Sequence, residues 1–139
     1  MTNKIGIEYV DYLTPTRVLI VSDIDVQVKV IKHALRNIQN LYIENINDKI
    51  KALSYIFIKN PTVIIVFFSE DKESLNFCSL VRNNSDFENT PIIVILNKKL
   101  SIFKKIKMKS IKINDFLLIP INQLLLEKKI RNYIDKKQQ

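Results

Sequence analysis

The chain of 139 residues contains one glycine, one cysteine, one histidine and no tryptophan. Because Gly6 stands alone, no glycine-rich loop can cradle phosphate groups, which excludes the P-loop and the dinucleotide-binding fingerprint. Cys78 has no second cysteine to pair with, so an internal disulfide is excluded and a reducing compartment is indicated. His33 lies among basic residues without a nearby acid or cysteine, and we expect it to be a surface residue.

Long apolar runs are also missing. No run reaches the roughly 18 residues of a membrane span, and the first residues do not resemble a signal peptide. We therefore expect a cytoplasmic protein without a membrane span. Hydrophobic residues make up 47% of the chain and are spread along its whole length, which predicts a single packed domain.

The charge is unevenly distributed. Residues 1–97 carry 10 basic and 11 acidic side chains, whereas residues 98–139 carry 12 basic and 3 acidic ones. The whole formal charge of +8 therefore comes from the last third. Such a region can attract nucleic acid, anionic lipid or an acidic protein, or it can be the solvated face of terminal helices.

Hydrophobic periodicity predicts five strands that alternate with five helices. Short runs rich in Val and Ile indicate strands buried on both faces, as in parallel sheets, at about 17–21, 63–68, 92–96 and 116–119, with a weaker strand at 41–46. Helical spacing is found in residues 25–38, 47–58, 72–83, 100–111 and 121–136. This order predicts an α/β domain with right-handed crossovers and helices on both faces of the sheet.

The spacing also predicts which side of each helix faces the core. The core-facing residues are expected to be Val28, Ile31, Leu35 and Ile38 in the first helix, Ile50, Leu53 and Phe57 in the second, and Leu75, Cys78 and Val81 in the third. In the fourth helix they are Phe103, Ile106 and Ser110, and in the fifth Leu126, Ile130 and Tyr133 or Ile134.

Sites in open parallel sheets form beyond the carboxyl ends of the strands. Four predicted strands run there into Ser22-Asp23, Phe67-Phe68, Leu96-Asn97 and Ile119-Pro120. Asp23 is the one carboxylate among these eight residues. It is expected to cap or orient the first loop.

The segments from Arg17 to Asp23 and from Asn114 to Asn122, in this order of elements, resemble response-regulator receiver domains. The resemblance covers about residues 17–134 and implies the (βα)5 flavodoxin/CheY-like fold, with a five-stranded parallel sheet and helices on both faces. Residues 1–16 would be an N-terminal extension or a linker between receivers. Residues 17–139 would form the domain, which can be one part of a longer polypeptide.

The resemblance becomes narrower in a few segments. Leu75-Asn76-Phe77 with Arg82, then Thr90-Pro91, and the stretch from Ile113 to Asn122 are similar to the second receiver of PleD-type diguanylate cyclases. Ile5-Gly6-Ile7 lies where a linker from a first receiver would arrive. In that family the second receiver is a degenerate adaptor, the first is phosphorylated, and a C-terminal GGDEF domain makes cyclic di-GMP.

The resemblance also implies which active-site positions have changed. The pair of acids that holds Mg²⁺ is reduced to Ser22 and Asp23, and the phosphoacceptor position is occupied by Phe67 or Val66. Leu96 replaces the switch hydroxyl and Ile119 replaces the lysine. Acids just after the third strand, in Ser69-Glu70-Asp71, are expected to be solvated. We therefore expect no phosphorylation, no catalytic residue, no metal and no cofactor.

The expected function is that of a non-enzymatic adaptor or dimerisation module. Receivers commonly associate through the fourth helix, fifth strand and fifth helix, and Lys128, Arg131 and Tyr133 are the candidate interface residues there. The expected partner is a second copy or another receiver, next to a GGDEF-type domain in the full-length protein.

Two alternatives remain. One is a module whose basic last third contacts nucleic acid or an acidic partner, through Lys98, Lys99, Lys104, Lys105, Lys107, Lys109 and Lys112. Nucleic acid is the less expected of these, because only Phe103 and Phe116 accompany the lysines. The other is contact with cyclic di-GMP, but the family's arginine positions fall near Val10 and Asn40, with Arg36 one turn away.

Overall fold

The computed structural model of the chain describes residues 15–68, 72–97 and 102–138, with the side chains of Lys72, Ile102, Phe103 and Gln138 excepted. Five strands, β1 (Thr16–Val21), β2 (Leu41–Ile46), β3 (Val63–Phe67), β4 (Ile92–Leu96) and β5 (Asp115–Leu118), form one parallel sheet in the order β2-β1-β3-β4-β5. The strands predicted from the sequence are all present, and β1 begins one residue earlier than expected.

Helices follow the strands in alternation. They are α1 (Asp25–Ala34), α2 (Lys49–Lys59), α3 (Lys72–Asn83), α4 (Ile102–Ser110) and α5 (Gln123–Gln138), with a short 3₁₀ helix at Ser85–Phe87. The predicted (βα)5 flavodoxin/CheY-like fold is confirmed. Within the described ranges, no helix is long and apolar enough to cross a membrane.

The sheet is packed on both faces. On one face, Ile20, Ile65 and Ile93 pack with residues of α1 and α5. On the other face, Leu19, Ile64 and Val94 pack with residues of α2, α3 and α4. All six side chains are fully buried, which explains why the strands are continuous apolar runs rather than alternating ones.

Local signals explain the helix boundaries. The Asp48 carboxylate accepts hydrogen bonds from the Ile50 and Lys51 amides at 2.8 and 3.0 Å, so it caps α2. These bonds, the one from Lys51 first, lower the pKa of Asp48. Asn60 ends α2 in the left-handed region with φ 52°, just before Pro61.

The predicted core stripes are wrong in two helices. In α2, Ile50 and Phe57 are 77% and 52% exposed, whereas Ala52 and Ile56 are fully buried. α2 has apolar residues in both helical phases, so spacing alone could not choose between them. In α4, Ile106 and Ser110 are exposed and Met108 is buried; the side chain of Phe103 lies outside the described part.

The stripes of α1, α3 and α5 are confirmed. Leu126 and Ile130 are fully buried, with Tyr133 and Ile134 both partly buried against them, and Cys78 and Val81 lie in the core beneath α3. α1 ends at Ala34 rather than at residue 38. Leu35 and Ile38 nevertheless pack on the predicted side, because the turns after the helix keep them over the sheet.

Candidate functional site

The carboxyl edge of the sheet is closed by apolar side chains. Phe67 is the last residue of β3 and only 8% exposed, and Leu96 ends β4 with 6% exposed. Ile119 follows β5, is partly buried, and its amide donates to the Leu96 carbonyl at 2.8 Å. The end of the central strands therefore presents hydrocarbon where polar ligands would otherwise approach.

The strand register distinguishes the two candidates for the acceptor position. Val21 pairs with Val66, which brings Ser22 level with Phe67 at the edge. Val66 is fully buried on the face covered by α2, α3 and α4, whereas Phe67 packs on the face covered by α1 and α5. Neither residue carries an oxygen that could attack phosphorus.

The first loop is held by Ser22 and not by Asp23. The Ser22 hydroxyl accepts a hydrogen bond from the Ile24 amide at 3.0 Å, and Ser22 is 6% exposed. Asn45 of β2 donates to the Ile20 and Ser22 carbonyls, both at 3.1 Å. Asp23 is exposed, and no side chain caps α1. The expectation that Asp23 caps this helix is wrong, and Asn45 is a loop-holding residue that sequence reasoning missed.

The described residues contain no group of three or more acids, histidines or cysteines that could hold a metal ion. The acidic segment Ser69-Glu70-Asp71 lies outside the described residues. At the edge itself, Asp23 has no second acid in the described loop.

The candidate interface residues of α5 differ from one another. Tyr133 is partly buried, and its hydroxyl donates to the Asp115 carboxylate at the start of β5. Lys129 forms an ion pair with the same carboxylate at 2.6 Å. Burial, and then the contact with Asp115, raise the pKa of Tyr133. Tyr133 therefore joins α5 to the sheet.

Arg131 and Lys128 are exposed. Arg131 pairs with Glu127 at 2.7 Å and donates to the Asn37 carbonyl at 3.3 Å, so it links α5 to the turn after α1. Sequence reasoning missed exposed apolar side chains on the same face, because Ile106 was expected in the core: Ile106, Leu118 and Leu125 are 61%, 43% and 40% exposed.

Residues singled out for other chemistry have simple surroundings. His33 is exposed, with Nδ1 2.8 Å from the Gln123 Oε1 atom of α5. Cys78 is fully buried, and burial raises the pKa of its thiol to about 12, so it is a core residue as predicted. The basic side chains Lys104, Lys105, Lys107, Lys109 and Lys112 are exposed, whereas Lys98 and Lys99 lie outside the described residues.

The residues considered for cyclic di-GMP are not assembled into a site. Arg36 donates to the carbonyl of His33 at 2.7 Å and belongs to the turn after α1. Asn40 adopts a left-handed conformation with φ 58° before β2. Val10 lies outside the described residues.

The five-stranded parallel sheet in the order β2-β1-β3-β4-β5, with two helices on one face and three on the other, is the fold of response-regulator receiver domains. The chemotaxis response regulator CheY4 of Vibrio cholerae is 25% identical, with a TM-score of 0.73 over 86% of this chain and 99% of that one. A response regulator of Thermotoga maritima is 18% identical, with a TM-score of 0.75 over 87% and 98%.

A phosphorylated cyanobacterial phytochrome response regulator, RcpA, is 14% identical, with a TM-score of 0.69 over 85% of this chain and 90% of that one. The sequence matches no family model. The likeness therefore defines the fold, and the function has to be argued from the residues of the site.

Proposed function

We propose that this chain is a receiver-like domain that is not phosphorylated and that serves as an adaptor or dimerisation module in two-component signalling. The observation that carries the proposal is Phe67 at the end of the central strand, almost completely buried where this fold would place an acceptor carboxylate. Leu96 and Ile119 extend the same apolar edge, so neither a switch hydroxyl nor a charge-neutralising lysine accompanies it.

The chemistry of phosphoryl transfer supports this proposal. Catalysis of that reaction consists mainly of positioning and of charge neutralisation by a metal and a cation. A carboxylate nucleophile and a Mg²⁺ site with at least two acids are the minimum, because this hard cation takes oxygen ligands. Asp23 alone supplies one carboxylate, and it is exposed rather than directed into the edge.

A closed edge also has a mechanical consequence. A receiver that alternates between two states needs a chemical event at the carboxyl edge to shift their populations. With Phe67 packed on Ile95 and the layer of α1 and α5, nothing at this edge discriminates between two states. The domain would hold one conformation and offer a constant surface to its partners, in the cytoplasm, where Cys78 stays reduced.

The test is incubation of the full chain with acetyl phosphate and Mg²⁺, followed by intact mass measurement. We expect no gain of a phosphoryl group. A titration with Mg²⁺ alone should leave the thermal midpoint unchanged, because only binding to the folded state would raise it. An added phosphoryl group that maps to residues 60–75 would overturn the proposal.

The pairing surface we propose is the face formed by α4, β5 and α5. It combines the exposed apolar residues Ile106 and Leu118 with the exposed cations Lys128 and Arg131. Tyr133 contributes to this face but also supports the fold through Asp115, so its removal would not separate the two roles.

Two double variants test the pairing surface. Ile106→Glu with Leu118→Glu should weaken self-association, or association with a neighbouring receiver, in sedimentation experiments on the full-length protein. Ile50→Glu with Ile58→Glu is the matched control, because these α2 residues are 77% and 76% exposed on another surface. Equal association of both variants and the parent would place the pairing surface elsewhere.

The specific setting that we propose is a PleD-like cyclic di-GMP synthase, with a phosphorylated receiver upstream and a GGDEF-type domain downstream. The similarity of Leu75-Asn76-Phe77, Arg82 and Thr90-Pro91 to the second receiver of that family supports it. In this fold, Phe77 is buried in the core and Arg82 holds loops together, so both have structural roles. Sequencing of the complete gene tests this setting: absence of a GGDEF segment would exclude it.

A second candidate function is a basic binding module, favoured by the exposed lysines of α4 and of the turn that follows it. Binding driven by phosphate contacts should weaken steeply between low and physiological salt. Phe116 is partly buried against the core and offers no free stacking platform, which favours an acidic protein over single-stranded nucleic acid. Insensitivity of partner binding to salt would exclude this candidate.

A further inference from the structure

The amino edge of the sheet, opposite the closed edge, carries a cleft of about 500 Å³. Its wall comes from four parts of the chain: the turn before β3, the segment before β4, the residue before β5, and the last turns of α5. The lining residues are Asn60, Thr62, Ser85, Asp86, Asn89, Thr90, Pro91, Asn114, Tyr133, Lys136 and Lys137. A volume of this size is within the range of small-molecule sites.

Thr62 indicates that the cleft is able to bind a ligand. Thr62 is 8% exposed, its amide donates to the Arg17 carbonyl at 2.8 Å, and its hydroxyl has no hydrogen-bond partner among the described residues. A buried hydroxyl without a partner costs free energy unless a ligand or water satisfies it. Because Thr62 lines the cleft, a bound molecule can supply the missing hydrogen bond.

The surrounding groups define the chemistry of such a molecule. The lining contains two lysines and one acid, Asp86, so within the described cleft the balance favours an anion. The rest is mostly amide and hydroxyl groups, which match a ligand with several hydrogen-bonding groups. Asn114 is fixed in place, because its Oδ1 accepts from the Ile92 amide and from Arg82, both at 2.8 Å.

We propose that this cleft binds a small phosphorylated metabolite, with Lys136 and Lys137 on the phosphate and with Thr62 and the asparagines on its polar body. The ammonium groups at the end of a long helix offset the unfavourable negative end of the helix dipole. Phosphate also suits these residues because a lysine is a mobile point charge that adapts to an anion.

The test is titration calorimetry of the full chain at about 150 mM salt with three probes: inorganic phosphate, adenosine monophosphate and glucose 6-phosphate. We expect at least one organic phosphate to bind more tightly than inorganic phosphate. Lys136→Gln with Lys137→Gln should weaken that binding about tenfold or more, as expected for loss of a charged hydrogen bond.

Two further variants separate the cleft from general attraction to a basic protein. Lys105→Gln with Lys107→Gln removes the same charge from α4, outside the cleft, and should leave the affinity within about twofold. Thr62→Val keeps the charge and the shape and should weaken binding about fivefold without loss of stability, since the hydroxyl has no partner to lose. Equal weakening by both lysine pairs, or failure of all three probes to bind, would overturn the proposal.

Discussion

The two edges of this sheet are built from opposite materials. At the carboxyl edge, Phe67 and Leu96 leave less than a tenth of their surface exposed. At the amino edge, amides, hydroxyls and lysines surround an open cleft. In this fold, ligands usually bind beyond the carboxyl ends of the strands. Here the fold has kept its packing while the polar chemistry lies at the other end, which shows that the receiver fold does not require its acidic edge to be stable.

The strongest test of the comparison restores an acid to the closed edge. Phe67→Asp should lower the free energy of unfolding by about 4 kcal/mol, because the new carboxylate would be buried without a cation. Urea unfolding measures the loss, and Phe67→Leu, the control, should cost only about 1 kcal/mol. Parent-like stability of Phe67→Asp, together with phosphorylation by acetyl phosphate, would show that the edge is still a working site.

The second test concerns the amino edge. Arg82 donates to the carbonyls of Phe87 and Lys112 and to the Asn114 side chain at 2.8–3.2 Å. Arg82→Lys keeps the charge but loses the planar fork, and should cost about 2 kcal/mol in urea unfolding. Arg36→Lys, on the exposed turn after α1, should stay within about 0.5 kcal/mol. Equal effects would mean that the amino edge does not depend on this clamp.

The third test uses alkaline pH. Burial raises the pKa of Cys78 from 9.0 to about 12, and burial with Asp115 raises the pKa of Tyr133 above 10.0. Between the unfolded and folded pKa values the folded chain binds more protons, so its stability falls as pH rises. We expect a loss of about 1–2 kcal/mol between pH 9 and about 10.5, measured by urea unfolding.

Two variants locate this loss. Cys78→Ala should remove the part of the dependence that begins near pH 9, and Tyr133→Phe should remove part of what begins near pH 10, at the start of β5. An unchanged pH profile in both variants would contradict the assignment to these two groups.

The smallest effect is expected on the outer rim of the closed edge. Leu124, in the first turn of α5, is 80% exposed, and Leu124→Gln should change the free energy of unfolding by less than about 0.5 kcal/mol. Leu126→Ala, two residues away and fully buried, should cost about 3 kcal/mol. A large loss in Leu124→Gln would mean that this residue takes part in closing the edge.

Strand positions and strand order were predictable from the sequence, because only strands covered on both faces tolerate runs such as Val63 to Val66. The phase of α2 was not predictable, since Ile50 and Ile56 are equally apolar and only the fully buried Ala52 marks the side that approaches the sheet. At the site, the resemblance left Phe67 and Val66 open. The pairing of Val21 with Val66 puts Phe67 at the edge, and the bonds of Asn45 could not be foreseen from local sequence.

The single thiol gives this protein a built-in measure of its own opening. Cys78 is fully buried under α3, and its pKa near 12 keeps it protonated at neutral pH, so thiol reagents can reach and attack it only after this layer separates from the sheet. The labelling rate of the unmodified chain, divided by the rate in denaturant, therefore reports the equilibrium constant of that opening under native conditions. Because no competing cysteine exists in the sequence, one mass measurement per time point is sufficient.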